Sequence, residues 1–168
     1  MRASAQSLDV DWKYFGGAAI DGKNVRTFYD EKGIVRRSDG HIEVWSKGLD
    51  ESEIIRLMNA KKVDKAALDR EAHKLATGNA IPYAVITQLT QDQYITLVMY
   101  EDIADYAQIQ PVTRMLFDLD CPGRLFRWLS TDFVTDGKHA FSDKPSEWKH
   151  VGPETNVSAL MKILCPQH

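Results

Sequence analysis

The stretch PVTRMLFDLDCPGRLFRWLSTDFVT, residues 111–135, contains two strand-like runs separated by a turn signal. In the first run, residues 112–121, apolar side chains share one strand face: Met115, Phe117, Leu119 and Cys121. Polar side chains share the other face: Arg114, Asp118 and Asp120. Pro122-Gly123 is a turn dipeptide, and residues 124–135 are predicted to form the return strand. The pattern predicts an antiparallel hairpin with one buried face.

The two acidic residues of this hairpin allow two interpretations. Asp118 and Asp120 lie two positions apart on one strand face, so they could form a pair of carboxylates. Such residues are more often the solvated side of a half-exposed strand, and that is the interpretation we favour.

The chain continues with a further hairpin and a final helix. Asp136-Gly137 marks the hairpin turn, which leads to a short strand at 139–142 and a loop at 145–151. The triplet at 153–155 opens the helix, and Pro166 ends it. Apolar residues recur in this helix at helical spacing: Val157, Leu160, Met161 and Leu164.

The only two cysteines, Cys121 and Cys165, are 44 positions apart. They could be two buried free thiols or one disulfide. Periodicity places Cys121 on the apolar strand face and Cys165 on the apolar helix stripe, which favours a disulfide that joins the last helix to the sheet. Such a bond requires an oxidising compartment. Neither cysteine belongs to a C-x-x-C pair, so a structural zinc site is not expected.

The first 48 residues are predicted to form an antiparallel meander. A strand at 10–15 is expected to break at Gly16-Gly17, and strands at 24–30, 34–37 and 41–47 follow, with a hairpin signal at 38–40. The string at 17–23 matches the start of a phosphate-binding loop, but strand-forming residues follow it, so we interpret it as a hairpin connection. Residues 1–9 are polar and are expected to be a flexible N-terminus.

Residues 50–107 are predicted to be a helical insertion between the two β-rich parts. Asp50 and Glu53 fit a capping box, and further helical patterns occupy 64–76 and 90–106. The fold class is therefore α+β: a single domain over 1–168, with an antiparallel sheet of about six strands and a C-terminal helix packed on it.

Composition excludes several function classes. The 168 residues carry 21 Lys and Arg against 24 Asp and Glu, so a nucleic-acid partner is not expected. No run approaches the roughly 20 apolar residues of a transmembrane helix. The five histidines lack the spacing of a helical zinc site, and no nucleophile motif occurs. We therefore expect no catalytic residues, no cofactor and no metal.

The order of features resembles the bacterial surface-adhesin protein E-like family over residues 10–48 and 111–165. The resemblance is carried by aromatic, turn and helix-opening residues: Trp12, Tyr29, Asp30, Trp45, Trp148, Pro153 and Thr155, together with Leu119-Asp120-Cys121 and Leu164-Cys165. Gly33 stands where we expect Ser in the family.

This resemblance implies an exported protein, often a lipoprotein, at the periplasm or cell surface, with the Cys121–Cys165 disulfide. It implies a protein partner of the extracellular-matrix type. A self-pairing edge strand would also give a homodimer. The expected role is binding or structural, without catalysis. One alternative is a periplasmic small-ligand-binding or accessory protein with a pocket between the sheet and the inserted helices. Another is a cytosolic protein with two free thiols, because no signal peptide precedes the first strand.

Overall fold

The computed structural model describes residues 10–60 and 109–166. The first part holds the strands β1 (Trp12–Ile20), β2 (Lys23–Asp30), β3 (Val35–Arg36) and β4 (His41–Asp50), followed by the helix α1 (Glu51–Ala60). The second part holds β5 (Thr113–Asp120), β6 (Leu125–Thr135), β7 (Lys138–Ser142), β8 (Lys149–His150) and the helix α2 (Asn156–Leu164).

The strands form one antiparallel sheet in the order β1-β2-β4-β5-β6-β7. The two short strands add to it, β3 beside β4 and β8 beside β6. The sheet curls into a half-barrel, and the hydroxyl of Thr135 at the end of β6 donates to Asp21 in the β1–β2 turn at 3.1 Å. The α+β prediction is confirmed for the sheet and the C-terminal helix. Of the predicted insertion at 50–107, α1 is observed, and 61–108 lies outside the described residues.

Local signals explain most of the turns. Gly40 and Gly137 have positive φ angles of 86° and 73°, which glycine adopts without steric cost. The string at 17–23 spans a hairpin, as predicted, and its turn is Asp21-Gly22. The predicted helix opening at 153–155 is confirmed, because the Thr155 hydroxyl accepts from the Ser158 N–H at 3.1 Å and caps α2. The predicted loop at 145–151 contains the two-residue strand β8.

The expected strand break at Gly16-Gly17 is wrong. β1 continues to Ile20 through a bulge between Tyr14 and Gly16, and glycine tolerates the local distortion. A β-carbon at Gly16 would lie 2.9 Å from Asn156 Oδ1, so the glycine also permits α2 to pack closely on β1.

The strand β4 extends three residues past the predicted end, through Gly48. A β-carbon at Gly48 would lie 2.6 Å from side-chain carbons of Val25 and Thr113, so glycine is required for the close packing of β2, β4 and β5.

Asp50 caps α1, because it accepts from the hydroxyl and the N–H of Ser52 at 2.7 and 2.9 Å. The hydroxyl bond, followed by the N–H bond and Lys23, holds the pKa of Asp50 below its usual value.

Both faces of the sheet carry apolar clusters. We call the side that packs on α2 the α2 face; its buried residues are Phe15, Tyr29, Ile42, Val44, Phe117, Leu119, Leu160, Met161 and Leu164. We call the opposite side the α1 face; its buried residues are Trp12, Phe28, Leu49, Ile54 and Ile109. Each buried large apolar side chain stabilises the fold by roughly 1.5–3 kcal/mol. The predicted apolar face of residues 115–121 is therefore the α2 face.

Candidate functional site

The first feature is the predicted disulfide, which is present in the structure. Cys121, just after β5, is bonded to Cys165, just after α2, with Cα atoms 5.6 Å apart. The bond joins the sheet to the last helix, as the periodicity indicated. Closing a loop of 44 residues stabilises the fold by about 4 kcal/mol in the chain-entropy treatment.

The second feature is a buried carboxylate on the α1 face. The prediction that Asp118 lies on the solvated side of its strand is wrong, because the residue is 0% exposed. Its Oδ1 accepts from His41 Nδ1 at 3.0 Å, and its Oδ2 accepts from Arg127 Nε and Nη2 at 3.0 and 2.9 Å. Asp120 instead lies near the turn and accepts from the Gly123 N–H at 2.9 Å. The two carboxylates therefore do not act as a pair.

Strand register brings these groups together. Asp118 of β5 lies opposite Glu43 of β4 and Arg127 of β6, so all three side chains project from the α1 face. His41 shares that face two residues before Glu43. A buried carboxylate is costly unless it is paired, and the two neighbouring strands supply the partners.

Trp148 covers this cluster. The Arg127 guanidinium carbon lies 4.5 Å from the Trp148 ring centroid, and the His41 ring meets the indole edge-on at 5.4 Å. The loop that carries Trp148 is pinned to β6, since Ser146 N–H donates to the Trp128 carbonyl at 2.8 Å. Trp148 itself remains 37% exposed.

A second set of charges extends the cluster along β4. Arg37 contacts Asp39 at 2.7 Å and Glu43 at 3.5 Å. The His41 N–H, followed by the Arg37 guanidinium, lowers the pKa of Asp39. Charged and polar side chains thus lie beside Trp148 at this end of the α1 face.

The Asp118 cluster holds the His41 and Arg127 side chains in place. Asp118 orients the His41 imidazole through Nδ1, but its charge is shared with Arg127. Within residues 10–60 and 109–166, no group of three or more His, Cys, Asp or Glu side chains is arranged to hold a metal ion. The arrangement fixes a histidine and an arginine beneath an exposed tryptophan, and Trp and Arg are residue types enriched at binding hot spots.

The residues that carry the family resemblance lie in several places. Tyr29 packs in the α2-face cluster, and Trp12 and Trp45 pack in the α1-face cluster. Trp148 covers the Asp118 cluster described above, and the exposed Pro153 precedes the capping residue Thr155.

Asp30 is buried at 5% exposure, and its carboxylate accepts from the Asp11 N–H at 3.1 Å. A β-carbon at Gly33 would overlap that carboxylate, which explains glycine at the position where we expected Ser.

The third feature is the outer edge of the sheet. In the described part of the chain, β7 pairs with β6 only, and all five of its residues are exposed. Phe141 is 67% exposed and lies opposite Asp132 on the α1 face. His139 on the same face contacts Asp132 at 3.1 Å. Sequence patterning located this strand but could not show that no described strand pairs with its outer edge.

Comparisons of the chain with protein-family models, with curated proteins and with solved structures find no match. Membership in the surface-adhesin E-like family therefore stays a prediction. Within the described ranges, no helix has the length and apolar character needed to span a bilayer. The alternative pocket between the sheet and the inserted helices falls on residues outside the described ranges.

Proposed function

We propose that this chain is an exported cell-envelope protein of the surface-adhesin E-like kind, with a protein-binding role and no catalytic one. Its compartment would be the periplasm or the cell surface. The Cys121–Cys165 disulfide supports export, because structural disulfides form and persist in oxidising compartments. The resemblance named above supports a partner of the extracellular-matrix type.

The observation that carries the binding role is the outer edge of β7, which pairs with no strand among the described residues. Asp136 and Gly137 both have positive φ, so the β6–β7 connection is a two-residue type I′ turn. In a type I′ turn, the carbonyl of the residue before the turn accepts a hydrogen bond from the N–H of the residue after it. The Lys138 N–H therefore faces β6. Alternation then directs the N–H groups of His139 and Phe141 to the outer edge.

This edge fits a strand of a partner protein. Strand addition satisfies the outward N–H and C=O groups, and side chains on alternate positions supply specificity. Phe141 provides an apolar anchor of the kind that dominates binding energy at interfaces. An exposed edge strand is a template for pairing with another chain, and the exposed Phe141 on it supports a docking role.

Export is tested by fractionating the organism that encodes the chain and alkylating free thiols in each fraction. We expect the protein in the envelope fraction with both cysteines protected until a reductant is added. Recovery of the protein in the cytosol with two reactive thiols would refute export and support the cytosolic interpretation.

Binding is tested with the full chain on immobilised laminin, chosen as a matrix protein. We expect saturable binding that Phe141→Ala weakens by about tenfold, as expected for loss of one interface anchor. The matched control is Val35→Ala, which truncates an apolar residue that is 52% exposed on β3. Absence of saturable binding, or an equal effect of the two substitutions, would count against the proposal.

A further inference from the structure

The histidine of the Asp118 cluster touches the exposed Trp148 and has one nitrogen without a partner. His41 Nδ1 lies 3.0 Å from the Asp118 carboxylate, which can only accept, so Nδ1 carries the first proton of the ring. In the described part of the chain, Nε2 has no hydrogen-bond partner. The ring centroid lies 5.4 Å from that of Trp148. A second proton would therefore enter at Nε2 and place a charge beside the indole.

The surroundings of His41 are rich in carboxylates. The titratable and charged groups around it within residues 10–60 and 109–166 are Asp39, Glu43, Asp118, Asp120, Arg37, Arg127 and the exposed His150. Asp39 accepts from the His41 N–H at 3.1 Å, and Asp120 lies opposite His41 in the strand register. Carboxylates outnumber the guanidinium groups, so a proton on His41 does not give the cluster a net positive charge.

The segment that carries the tryptophan, residues 143–148, rests on β6 through few contacts. We call it the Trp148 loop. The Ser146 N–H donates to the Trp128 carbonyl at 2.8 Å, and the Trp128 N–H donates to the Ser146 hydroxyl at 3.0 Å. Trp148 itself stacks on Arg127 at 4.5 Å. The remaining residues of the loop, including its other charged ones, are exposed. A segment with so few buried contacts opens locally at low cost.

We propose that protonation of His41 closes the Trp148 loop on the α1 face, so that the cluster acts as a pH-sensitive switch. The neutral imidazole offers the indole an uncharged ring. The protonated ring adds a second cation, beside Arg127, within the roughly 6 Å over which a cation attracts an indole. Its contact with Asp118 becomes an ion pair, which keeps the charge in place. Histidine ordinarily changes charge between about pH 5 and 8, so the loop would be held more firmly in mild acid.

The test is amide hydrogen exchange at Ser146 in the full-length oxidised chain, followed by NMR at about pH 5.5 and about pH 7.5, a range in which histidine titrates. The Ser146 N–H exchanges when the loop leaves β6, so its protection, corrected for the intrinsic pH dependence of exchange, measures the open population. We expect protection to be about two- to fivefold higher at the lower pH, the gain that one exposed cation–π contact implies. Amides of β4 and β5 report global unfolding and serve as the internal reference.

Three variants locate the sensor and its contact. His41→Gln can still donate to Asp118 but does not titrate, so the pH dependence should disappear. The matched control is His150→Gln, which removes an exposed histidine of the same sheet face and should leave the pH dependence intact. Trp148→Leu removes the indole and should abolish the effect. Because Trp148 is 37% exposed, this last variant should keep the fold.

Equal protection of Ser146 at the two pH values in the wild type would overturn the proposal. A pH dependence that persists in His41→Gln or in Trp148→Leu, or one that disappears in His150→Gln, would overturn it as well. None of these results bears on partner binding at β7 or on export, so failure here is distinguishable from failure of the proposed function.

Discussion

Replacing the buried carboxylate by an amide, Asp118→Asn, is expected to destabilise the protein by about 3 kcal/mol. The amide keeps the shape but can accept through one oxygen only, and its NH₂ group faces donors. The single amide oxygen can keep the bonds to Arg127 or the bond to His41 but not both, and loss of the negative charge weakens the bonds that remain. Hydrogen bonds to charged groups contribute roughly 1.5–3 kcal/mol each, and breaking a buried pair costs roughly 3–5 kcal/mol. The value falls at the lower end because the Arg127 side chain is 29% exposed and can be hydrated.

Urea unfolding followed by tryptophan fluorescence measures this change. With a slope of about 2 kcal/mol per molar urea, a loss of 3 kcal/mol lowers the midpoint by about 1.5 M. The matched control is Asp120→Asn on the same face of the same strand. Its carboxylate accepts one backbone N–H, and the amide oxygen of asparagine can accept the same bond, so the cost should stay under about 1 kcal/mol.

The comparison of the two variants is decisive. If Asp118→Asn and Asp120→Asn lower the midpoint equally, the contacts of Asp118 add nothing to stability beyond those of a turn carboxylate. The assignment of Asp118 as a buried carboxylate stabilised by His41 and Arg127 would then be wrong.

Three other perturbations have definite expected outcomes. Reducing the Cys121–Cys165 disulfide should lower the free energy of unfolding by about 4 kcal/mol, measured by urea titration with and without reductant. Gly48→Ala should cost about 1–3 kcal/mol in thermal unfolding, because the added β-carbon overlaps side chains of both neighbouring strands. Gly152→Ala should have little effect, because its nearest atom lies at an ordinary 3.4 Å. Acidification should remove stability contributed by Asp50: its pKa is lowered in the folded state, so the contribution is present above the unfolded pKa and disappears as the pH falls through the folded value. Asp50→Asn should therefore show a shallower loss of stability in acid.

Each of these expectations has a result that contradicts it. A reduced protein as stable as the oxidised one would show that the disulfide does not restrict the unfolded chain. Equal costs for the two glycine variants would mean that the sheet can relax around position 48. An acid transition unchanged by Asp50→Asn would mean that the cap of α1 does not link proton binding to folding.

Local sequence patterns were sufficient to predict much of the fold. The alternation from Met115 to Cys121 placed one strand face in the core, since side chains of a strand point to opposite sides in turn. Helical spacing and the opening triplet at 153–155 located α2, and the strand and helix patterns together placed the cysteines on facing surfaces. These features depend on neighbours within a few residues, so they could be read without knowledge of the fold.

Other features depended on strand pairing between distant parts of the chain. Nothing near Asp118 in sequence shows that β4 and β6 would supply His41 and Arg127 as partners, or that a loop carrying Trp148 would cover them. A local pattern distinguishes the two faces of a strand but does not say what lies over each. For the same reason, no local pattern shows that β1 continues through a bulge at Gly16, where α2 packs close to the strand.

The sequence by itself determined the strand faces, the turn positions, the helix ends and the placement of the two cysteines on apolar faces. These properties arise from backbone preference and short-range spacing. The tertiary structure alone decided that Asp118 is buried among charged partners while Asp120 lies at a turn, and that the outer edge of β7 pairs with no other described strand. These outcomes depend on the register and curvature of the whole sheet, which bring together side chains that lie far apart along the chain.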